Sequence, residues 1–338
     1  MKGIICEQIE QFNYAELEEP VYTEGEAIIQ IKRVGICGTD LHAYKGNQPF
    51  FSYPRILGHE LSGIIQRIGE NAEGFKAGDQ VSIIPYLHCG KCAACRQGKT
   101  NCCTSIQVLG VHADGGMREK ISIPVTHLLK ADGLSLEQAA IVEPFSIGAH
   151  AIRRSGLERG QTALVIGAGP IGLGIMALAK HAGANVIAMD VNTERLAFCK
   201  QWAKVDSTVN ALENPSAQLE ALTNGDYPTI VFDATGNTNS MAAAVKYAAH
   251  GGKLVYVGLV KGQVSFDDAE FHKRELTIMG SRNATREDFE HVLDVVRAGG
   301  IDVDRYVTHQ VPFEEMIEHF ESWLDPANKV IKAMIEWP

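Results

Sequence analysis

Four cysteines close together are the residues of this sequence best suited to chemistry: Cys89, Cys92, Cys95 and Cys103, with two, two and seven residues between them. Four sulfurs in one short loop are what tetrahedral thiolate coordination of zinc requires. Three disulfide pairings are formally possible, but cysteines two residues apart form strained bridges. The start of the chain carries no secretory signal, which favours a reducing, cytoplasmic location. We therefore predict a structural zinc lobe at about residues 88–104.

A second set of metal-ligating residue types is spread over a longer stretch: Cys37, the adjacent His59 and Glu60, and Glu143. One thiolate, one imidazole and one or two carboxylates form a mixed-ligand zinc site that keeps one position open for water or an alcohol. Taken singly, Cys37 is more often a small buried apolar residue, and His59 a hydrogen-bonded core histidine. Their occurrence together with the four-cysteine loop favours a catalytic metal site.

A nucleotide-binding pattern begins at a short apolar run, residues 162–166, which is typical of a buried strand. This run leads directly into a glycine-rich turn and then into a helical stretch at residues 173–182. The first glycine permits the tight turn, the second lets the backbone approach a pyrophosphate, and the third allows helix and strand to pack closely. The predicted cofactor-binding residues of this turn are Gly167, Gly169, Pro170, Ile171 and Gly172.

A second strand, residues 186–189, ends in Asp190, eighteen residues after Gly172. A carboxylate at this point accepts hydrogen bonds from ribose hydroxyls and repels a 2′-phosphate, so NAD is predicted rather than NADP. Arg195 follows as a further cofactor candidate, although its more ordinary role is that of a solvated helix residue. Other candidates stand where loops leave the later strands: Thr235, Gly236, Val257, Gly258, Leu259, Ser281 and Arg282.

The organisation of the chain predicts two domains and an α/β fold class. A length of 338 residues with 45% hydrophobic composition is ample for two cores. In residues 1–145, alternating segments such as 26–34 and 61–68 indicate a β-rich catalytic domain. Residues 146–282 then alternate strands with helices, as in a doubly wound parallel sheet that binds NAD. Residues 283–338 are predicted to return and complete the first domain.

The later secondary structure is predicted from short apolar runs and one amphipathic stretch. Strands are expected at residues 230–233, 253–258, 276–279 and 329–335, and a helix at 286–298.

No apolar run approaches the roughly 18 residues needed to cross a membrane. The net charge of −10 and the lack of a basic stripe argue against a nucleic-acid partner.

With these motifs in place, the chain resembles the zinc-containing medium-chain alcohol and polyol dehydrogenases over nearly its whole length. The motifs that carry the resemblance are the run from Cys37 to His42, Gly58-His59-Glu60, the four-cysteine lobe, Glu143-Pro144, the glycine turn and Asp190. Longer stretches, at residues 46–51, 110–116 and 280–285, are similar to the hexonate 5-dehydrogenase group of that family. The resemblance implies a GroES-like catalytic domain, a Rossmann domain, two zinc ions per subunit, and a homodimer or homotetramer.

The resemblance also implies which residues hold the metals. The resting ligands of the catalytic zinc would be Cys37, His59 and Glu143, with Glu60 as the alternate carboxylate. Cys102 could compete for the structural zinc, but the family spacing selects Cys103. Because a proline restricts the residue before it, Pro144 is expected to hold the backbone of Glu143 in extended geometry.

The chemistry expected from these parts is oxidation of a secondary alcohol, in which zinc lowers the pKa of the hydroxyl and NAD accepts hydride. The Thr39 hydroxyl would pass the proton onward, and His42 would be the next relay, because histidine is the side chain suited to exchange protons near neutral pH. Their ordinary alternatives are a turn hydroxyl and a surface histidine. Asp40 is expected to orient a zinc ligand rather than touch substrate.

The substrate implied by the resemblance is a six-carbon sugar acid, L-galactonate, L-gulonate or L-idonate, oxidised at C5. An anionic substrate needs a local cation in so acidic a chain, and Arg282 is the first candidate for binding its carboxylate. Lys45, Arg55 and His112 are secondary candidates. Two alternatives stay open: a dehydrogenase of a neutral polyol or a threonine-like amino alcohol, and a non-catalytic nucleotide-binding protein on the same fold.

Overall fold

The computed structural model describes residues 1–48 and 51–338. Pro49 and Phe50, part of the 46–51 stretch that resembles hexonate 5-dehydrogenases, lie outside the described residues. The described chain forms two compact units. The first contains Met1–Glu143, Thr285–Arg297 and Val303–Pro338, and the second contains Pro144–Ala284 and Ala298–Asp302. The boundaries predicted from the sequence lie at 145/146 and 282/283.

Strands and helices of the described residues are numbered separately in chain order. The strands are β1 (Lys2–Gln8), β2 (Gln11–Glu16), β3 (Glu26–Ile36), β4 (Glu60–Ile68), β5 (Gln80–Ile83), β6 (Tyr86–Leu87), β7 (Gln107–Val108), β8 (Lys120–Pro124), β9 (Leu128–Lys130), β10 (Thr162–Ile166), β11 (Asn185–Asp190), β12 (Ser207–Asn210), β13 (Ile230–Asp233), β14 (Lys253–Tyr256), β15 (Thr277–Gly280), β16 (Val307–Pro312) and β17 (Lys332–Glu336). The helices are α1 (Gly38–Tyr44), α2 (Ala93–Arg96), α3 (Leu136–Ala140), α4 (Val142–Ser155), α5 (Pro170–His181), α6 (Thr193–Trp202), α7 (Pro215–Leu222), α8 (Thr238–Ala243), α9 (Asp268–Lys273), α10 (Arg286–Arg297), α11 (Val303–Tyr306) and α12 (Met316–Phe320). Short 3₁₀ turns lie at Thr100–Cys102, Val125–His127, Ala244–Tyr247, Phe313–Glu315, Glu321–Leu324 and Pro326–Asn328.

The main sheet of the first unit has the strand order β16-β17-β3-β4-β5-β9, with β8 also paired to β3. Its longest strand, β3, pairs antiparallel with β4, β8 and β17. Ala27, Ile29 and Ile31 of β3 are fully buried, as expected for one face of a strand with a period of two. This face contributes to an apolar core that fixes the register of the neighbouring strands.

That register brings distant parts of the sequence together at one end of β3. Gly35 lies opposite Glu60 on β4, and Ile36 lies opposite Ala333 on β17. Cys37 follows β3 directly and caps the N-terminus of α1. The sheet therefore places Cys37, the start of β4 and the start of β17 side by side.

The second unit contains a six-stranded parallel sheet in the order β12-β11-β10-β13-β14-β15. The order reverses at β10, where the chain crosses from one half of the sheet to the other. In an open α/β sheet, ligands bind at the carboxyl ends of the strands around such a reversal. The glycine turn follows β10 at this position, and Asp190 ends the neighbouring strand β11.

The predicted fold class is confirmed: a β-rich unit accompanies a doubly wound parallel sheet. The strand predicted at residues 230–233 coincides with β13, and the helix predicted at 286–298 with α10. The last strand starts at Lys332, three residues later than predicted, because Lys329 adopts a left-handed conformation at φ 52°. Within the described residues, no helix is long and apolar enough to cross a membrane.

One local expectation is wrong. Glu143 is not extended but lies in the first turn of α4, with Pro144 directly after it. The first backbone N–H groups of a helix have no partner within the helix, so a proline there removes no hydrogen bond. The preference of a residue before proline for extended geometry is therefore overridden at this helix start.

Candidate active site

The four-cysteine lobe brings its sulfur atoms together. The Sγ atoms of Cys89, Cys92, Cys95 and Cys103 all lie within 4.8 Å of one another. All eight cysteines of the chain are free thiols, and the neighbouring Cys102 is exposed and outside the group. Four sulfurs at such distances fit tetrahedral zinc with no position left for another ligand.

Backbone N–H groups of the lobe point at these sulfurs. The amide of Cys92 donates to Cys89 Sγ at 3.4 Å, and the amides of Cys89 and Ser105 donate to Cys103 Sγ at 3.3 and 3.4 Å. Backbone hydrogen bonds, first from Cys95 and then from Thr104, lower the pKa of Cys92 to about 5. These hydrogen bonds favour the thiolate form of Cys92, which is the form that zinc binds, whereas burial raises the pKa of Cys95 to about 12.

A second group of donors lies at the end of β3 and the start of β4. Ligand atoms of Cys37, His59 and Glu60 lie within 4.8 Å of one another. His59 and Glu60 are buried, and Cys37 is partly accessible. A thiolate, an imidazole and a carboxylate held this closely, with one accessible member, fit a metal site that admits a further ligand.

The His59 ring is oriented by Asp40. Asp40 is fully buried and accepts hydrogen bonds from the backbone N–H groups of Cys37 at 2.8 Å and Gly58 at 3.2 Å. Its Oδ1 lies 3.7 Å from His59 Nδ1, an atom with no hydrogen-bond partner among the described residues. Burial alone would lower the pKa of His59, but the charges of Asp40 and Cys37 raise it well above the usual value. With Nδ1 turned to Asp40, Nε2 is the nitrogen left to bind a metal.

Glu60 is paired with a lysine that the sequence did not point to. Lys332 Nζ donates to both Glu60 oxygens, at 2.6 and 2.7 Å, and to the carbonyl oxygen of Ile36 at 3.0 Å. Both side chains are almost completely buried, at 1% and 0% exposure. Burial disfavours the ammonium, but the Glu60 carboxylate raises the pKa of Lys332 above its usual value. The buried Lys332 therefore stays in its ammonium form.

Glu143 lies outside the mutually close donor group and contacts a different partner. The hydroxyl of the buried Tyr86 donates to Glu143 Oε1. Burial raises the pKa of Glu143 to about 7, while the charge of the neighbouring His59 opposes the rise. Glu143 is thus close enough to Cys37, His59 and Glu60 for the charge of His59 to affect its pKa. Its hydrogen-bond partner is the neutral hydroxyl of Tyr86 and not a cation.

Thr39 and His42 both lie on α1, whose N-cap is Cys37. Residues three apart in a helix share a face, so these two side chains emerge on one side of α1. Thr39 is half-buried and His42 is exposed, which gives the face an inner and an outer polar group.

The glycine turn of the second unit fits a pyrophosphate. Gly167 has φ +97°, and a Cβ at Gly172 would lie 1.8 Å from the Gly167 carbonyl oxygen, so both positions require glycine. A Cβ built at Gly169 meets no atom within 4 Å, which leaves open space at the N-cap of α5. Unpaired N–H groups of a helix start facing open space form an anion site.

Asp190 is held in place at the end of β11. Its carboxylate accepts hydrogen bonds from the backbone of Ala168 at 2.6 Å and of Asn192 at 2.8 Å. The Ala168 bond ties the carboxylate to the glycine turn, so Asp190 lies beside the start of α5. Arg195 is exposed on α6.

The other cofactor candidates follow strands on the opposite side of the reversal. Thr235 and Gly236 follow β13, where Thr235 donates to the buried Asp233 through its amide at 2.9 Å and its hydroxyl at 2.6 Å. Gly258 packs against Gly236, because a Cβ at Gly258 would lie 2.3 Å from the Gly236 nitrogen. After β15, Ser281 is buried and its hydroxyl has no hydrogen-bond partner among the described residues. Val257 and Leu259 flank Gly258 in the loop after β14, and Arg282 follows Ser281 in the loop after β15. Leu259 and Arg282 are exposed.

The cationic substrate candidates have different surroundings. Lys45 Nζ pairs with Glu10 at 2.6 Å. Arg55 contacts Asp114 at 3.3 Å. His112 Nδ1 accepts a hydrogen bond from the backbone of Val108 at 3.2 Å.

Two protein families match separate parts of the sequence. Residues 23–133 match the family described as alcohol dehydrogenase GroES-like domain, and residues 170–298 match that described as zinc-binding dehydrogenase. The chain is 46% identical to the L-galactonate-5-dehydrogenase of Escherichia coli K12 over 335 residues, 99% of this chain and 98% of that protein. It is 30% identical to the 2-dehydro-3-deoxy-L-galactonate 5-dehydrogenase of Pseudoalteromonas atlantica, over 96% of this chain and 95% of that protein. An Escherichia coli CFT073 alcohol dehydrogenase solved with NADH superposes with a TM-score of 0.92 at 32% identity, covering 100% of this chain and 99% of that one.

Proposed function

From the premise that this chain belongs to the family of zinc-binding alcohol dehydrogenases with a GroES-like domain, we propose that it oxidises the C5 hydroxyl of a six-carbon sugar acid. The chain is a zinc-dependent, NAD-linked dehydrogenase. The observation that carries this chemistry is the close group formed by Cys37, His59 and Glu60, with the Glu143 carboxylate near enough for its pKa to respond to the charge of His59. The sugar-acid substrate is supported by the 46% identity to an L-galactonate-5-dehydrogenase over 99% of this chain.

The proposed zinc ligands and the proposed proton relay are different residues of the first unit. Cys37, His59 and Glu143 would hold the catalytic zinc, with Glu60 as the alternate carboxylate. Zinc supplies a Lewis acid that favours ionisation of the substrate hydroxyl, and NAD supplies the hydride acceptor. Thr39 would accept the proton released by that hydroxyl while giving its own proton to His42, which would release a proton to solvent.

The four-cysteine lobe would hold a second zinc with a structural role. Four thiolates around one ion leave no position for substrate. Cys89, Cys92, Cys95 and Cys103 would therefore stabilise the loop without entering the reaction.

The substrate proposal is tested by comparing initial rates of NADH formation by the zinc-loaded protein with L-galactonate, L-gulonate, L-idonate, sorbitol and L-threonine. One of the three hexonates is expected to give the highest kcat/KM. Preference for sorbitol or threonine would replace the substrate assignment with one of its alternatives. No NADH formation with any compound would contradict the sugar-acid proposal.

Asp190 is proposed to set the preference for NAD over NADP. Replacing it with alanine removes charged hydrogen-bond acceptors and the repulsion of a 2′-phosphate. We expect the kcat/KM ratio of NADP to NAD to rise by roughly 10- to 100-fold, since hydrogen bonds to charged groups contribute about 1.5–3 kcal/mol. Steady-state kinetics with both cofactors measure this ratio.

Asp206 offers a matched control, because it also accepts a backbone hydrogen bond in the same sheet, from Val186 at 2.6 Å, and pairs with Lys180 at 2.8 Å. Val186 lies near the amino end of β11, whereas Asp190 is at its carboxyl end. Asp206→Ala should lower stability without changing cofactor preference. Equal preference shifts in both variants would argue against the role of Asp190.

The proposal also includes a cytoplasmic homodimer or homotetramer. Eight free thiols are consistent with a reducing compartment. Sedimentation of the purified protein measures the subunit count, and a monomer would contradict this part of the proposal.

A further inference from the structure

Glu60 and Glu143 differ in what holds them. Both oxygens of Glu60 accept hydrogen bonds from the Lys332 ammonium, at 2.6 and 2.7 Å. The third bond of that ammonium goes to the Ile36 carbonyl oxygen at 3.0 Å, so all three of its donors are used. Glu143, in contrast, has its Oε1 held by the neutral hydroxyl of Tyr86.

Glu60 has little freedom to leave this arrangement. It is 0% exposed and its carboxylate packs directly over Gly35, the residue opposite it on β3. The packing is so close that a Cβ at Gly35 would lie only 2.1 Å from Glu60 Oε2. If Glu60 turned toward a metal, Lys332 would be left as a charge without a carboxylate at 1% exposure. An unpaired buried charge is strongly unfavourable, so the ion pair opposes that movement.

We propose that Lys332 determines which carboxylate binds the catalytic zinc, by holding both oxygens of Glu60 and thereby leaving Glu143 as the resident ligand. Lys332 is a positioning residue, since it acts on the metal through Glu60. The inference rests on the proposed placement of zinc at Cys37 and His59 and deepens it. With Lys332 in place, the ligand atom of Glu60 already lies within 4.8 Å of those of Cys37 and His59, so Glu60 needs only a small movement to bind the metal when the lysine is removed.

The test uses the full-length protein with Co²⁺ in place of the catalytic zinc, because the visible spectrum of Co²⁺ reports its coordination. In Lys332→Met, the released Glu60 is expected to join the metal, weakening the visible bands as the coordination number rises. Release of Co²⁺ to a chelator should slow by roughly 10-fold or more, because one more protein ligand must dissociate before the ion can leave. Neither readout depends on the substrate, so a wrong sugar-acid assignment would leave the result intact.

The double variant Lys332→Met/Glu60→Gln is the decisive control. It removes the new ligand and the ion pair together, so the spectrum and the release rate should return to those of the unaltered protein. Persistence of the changes in the double variant would show that they come from disturbed packing and would overturn the proposal. An unaltered spectrum and release rate in Lys332→Met would also overturn it.

Two further variants keep the proposal testable if Lys332→Met fails to fold. Lys332→Arg retains the charge and the double hydrogen bond, and should keep the original spectrum. Glu60→Gln alone should likewise keep the metal, because Glu143 is the proposed ligand. Loss of Co²⁺ from both Glu60→Gln and the double variant, which leaves no unpaired buried charge, would identify Glu60 as the resident ligand and refute the inference.

Discussion

Replacing His59 with alanine is expected to reduce kcat/KM for the alcohol by about 10³-fold or more, the equivalent of about 4 kcal/mol in transition-state stabilisation. The imidazole would be one of three protein ligands of the catalytic zinc, and its loss leaves two. The zinc content should fall from two ions per subunit to one, because the four-cysteine lobe is untouched. NAD affinity should persist, since the glycine turn and Asp190 belong to the second unit.

His127 provides the control for the loss of a buried histidine. It is 6% exposed, close to the 5% of His59, and lies outside both donor groups. Burial lowers the pKa of His127 to about 4, so it is neutral at working pH, and its removal takes away packing and the hydrogen bonds of its ring to Tyr86 and Thr126 rather than charge. His127→Ala should lower thermal stability and keep both zinc ions. If His59→Ala kept two zinc ions, the assignment of His59 as a zinc ligand would be wrong. If the unaltered protein held a single zinc bound by sulfur alone, the proposed zinc-dependent oxidation would be wrong.

Replacing Cys92 with serine is expected to remove the other zinc and unfold the lobe. Structural zinc contributes binding free energy directly to folding, about 10–16 kcal/mol in isolated zinc-finger peptides. The loop depends on such a contribution, because α2 spans only four residues and buries none of them. We expect rapid proteolysis between residues 89 and 103, and a melting temperature lowered by roughly 5–15 °C. Limited proteolysis with mass spectrometry, zinc analysis and thermal unfolding measure these effects.

Cys102 makes the matched control, since it is adjacent to Cys103, exposed and outside the sulfur group. Cys102→Ser should retain both zinc ions, the protease resistance and the melting temperature. If Cys102→Ser released a zinc ion while Cys92→Ser retained both, the assignment of the four ligands would have to change. The catalytic zinc should remain in both variants, because its donors lie on other elements.

The parts that the sequence predicted well are those whose chemistry is local. The strand at residues 162–166, the glycines of the following turn and Asp190 are close in sequence, and the geometry of a turn follows from residues within it. The four cysteines likewise fall within fifteen consecutive residues, so their spacing alone constrains the sulfurs to one loop. For the same reason, the parallel sheet could be expected from alternating apolar runs and helices.

Where a local rule competed with its surroundings, the rule was not sufficient. Pro144 predicts extended backbone at Glu143, yet Glu143 begins α4. The rule describes an average preference, and a helix start is one place where a proline costs no hydrogen bond. The sequence also pointed to Lys45 as a substrate cation, but only the fold shows that its ammonium pairs with Glu10 at 2.6 Å.

The sequence by itself determined the ingredients: two sets of metal-ligating residue types, a glycine turn after an apolar strand, and an acidic residue at the end of the next strand. Only the tertiary structure decided the partners of the two glutamates. Lys332 meets Glu60 across 272 positions, and Tyr86 meets Glu143 across 57. Such contacts depend on strand order and register, which no short stretch of sequence encodes. The physical reason is that the neighbours of a buried carboxylate decide whether it is held as an ion pair or by a neutral hydrogen bond. For Glu60 that neighbour is Lys332, which comes from β17 at the far end of the chain.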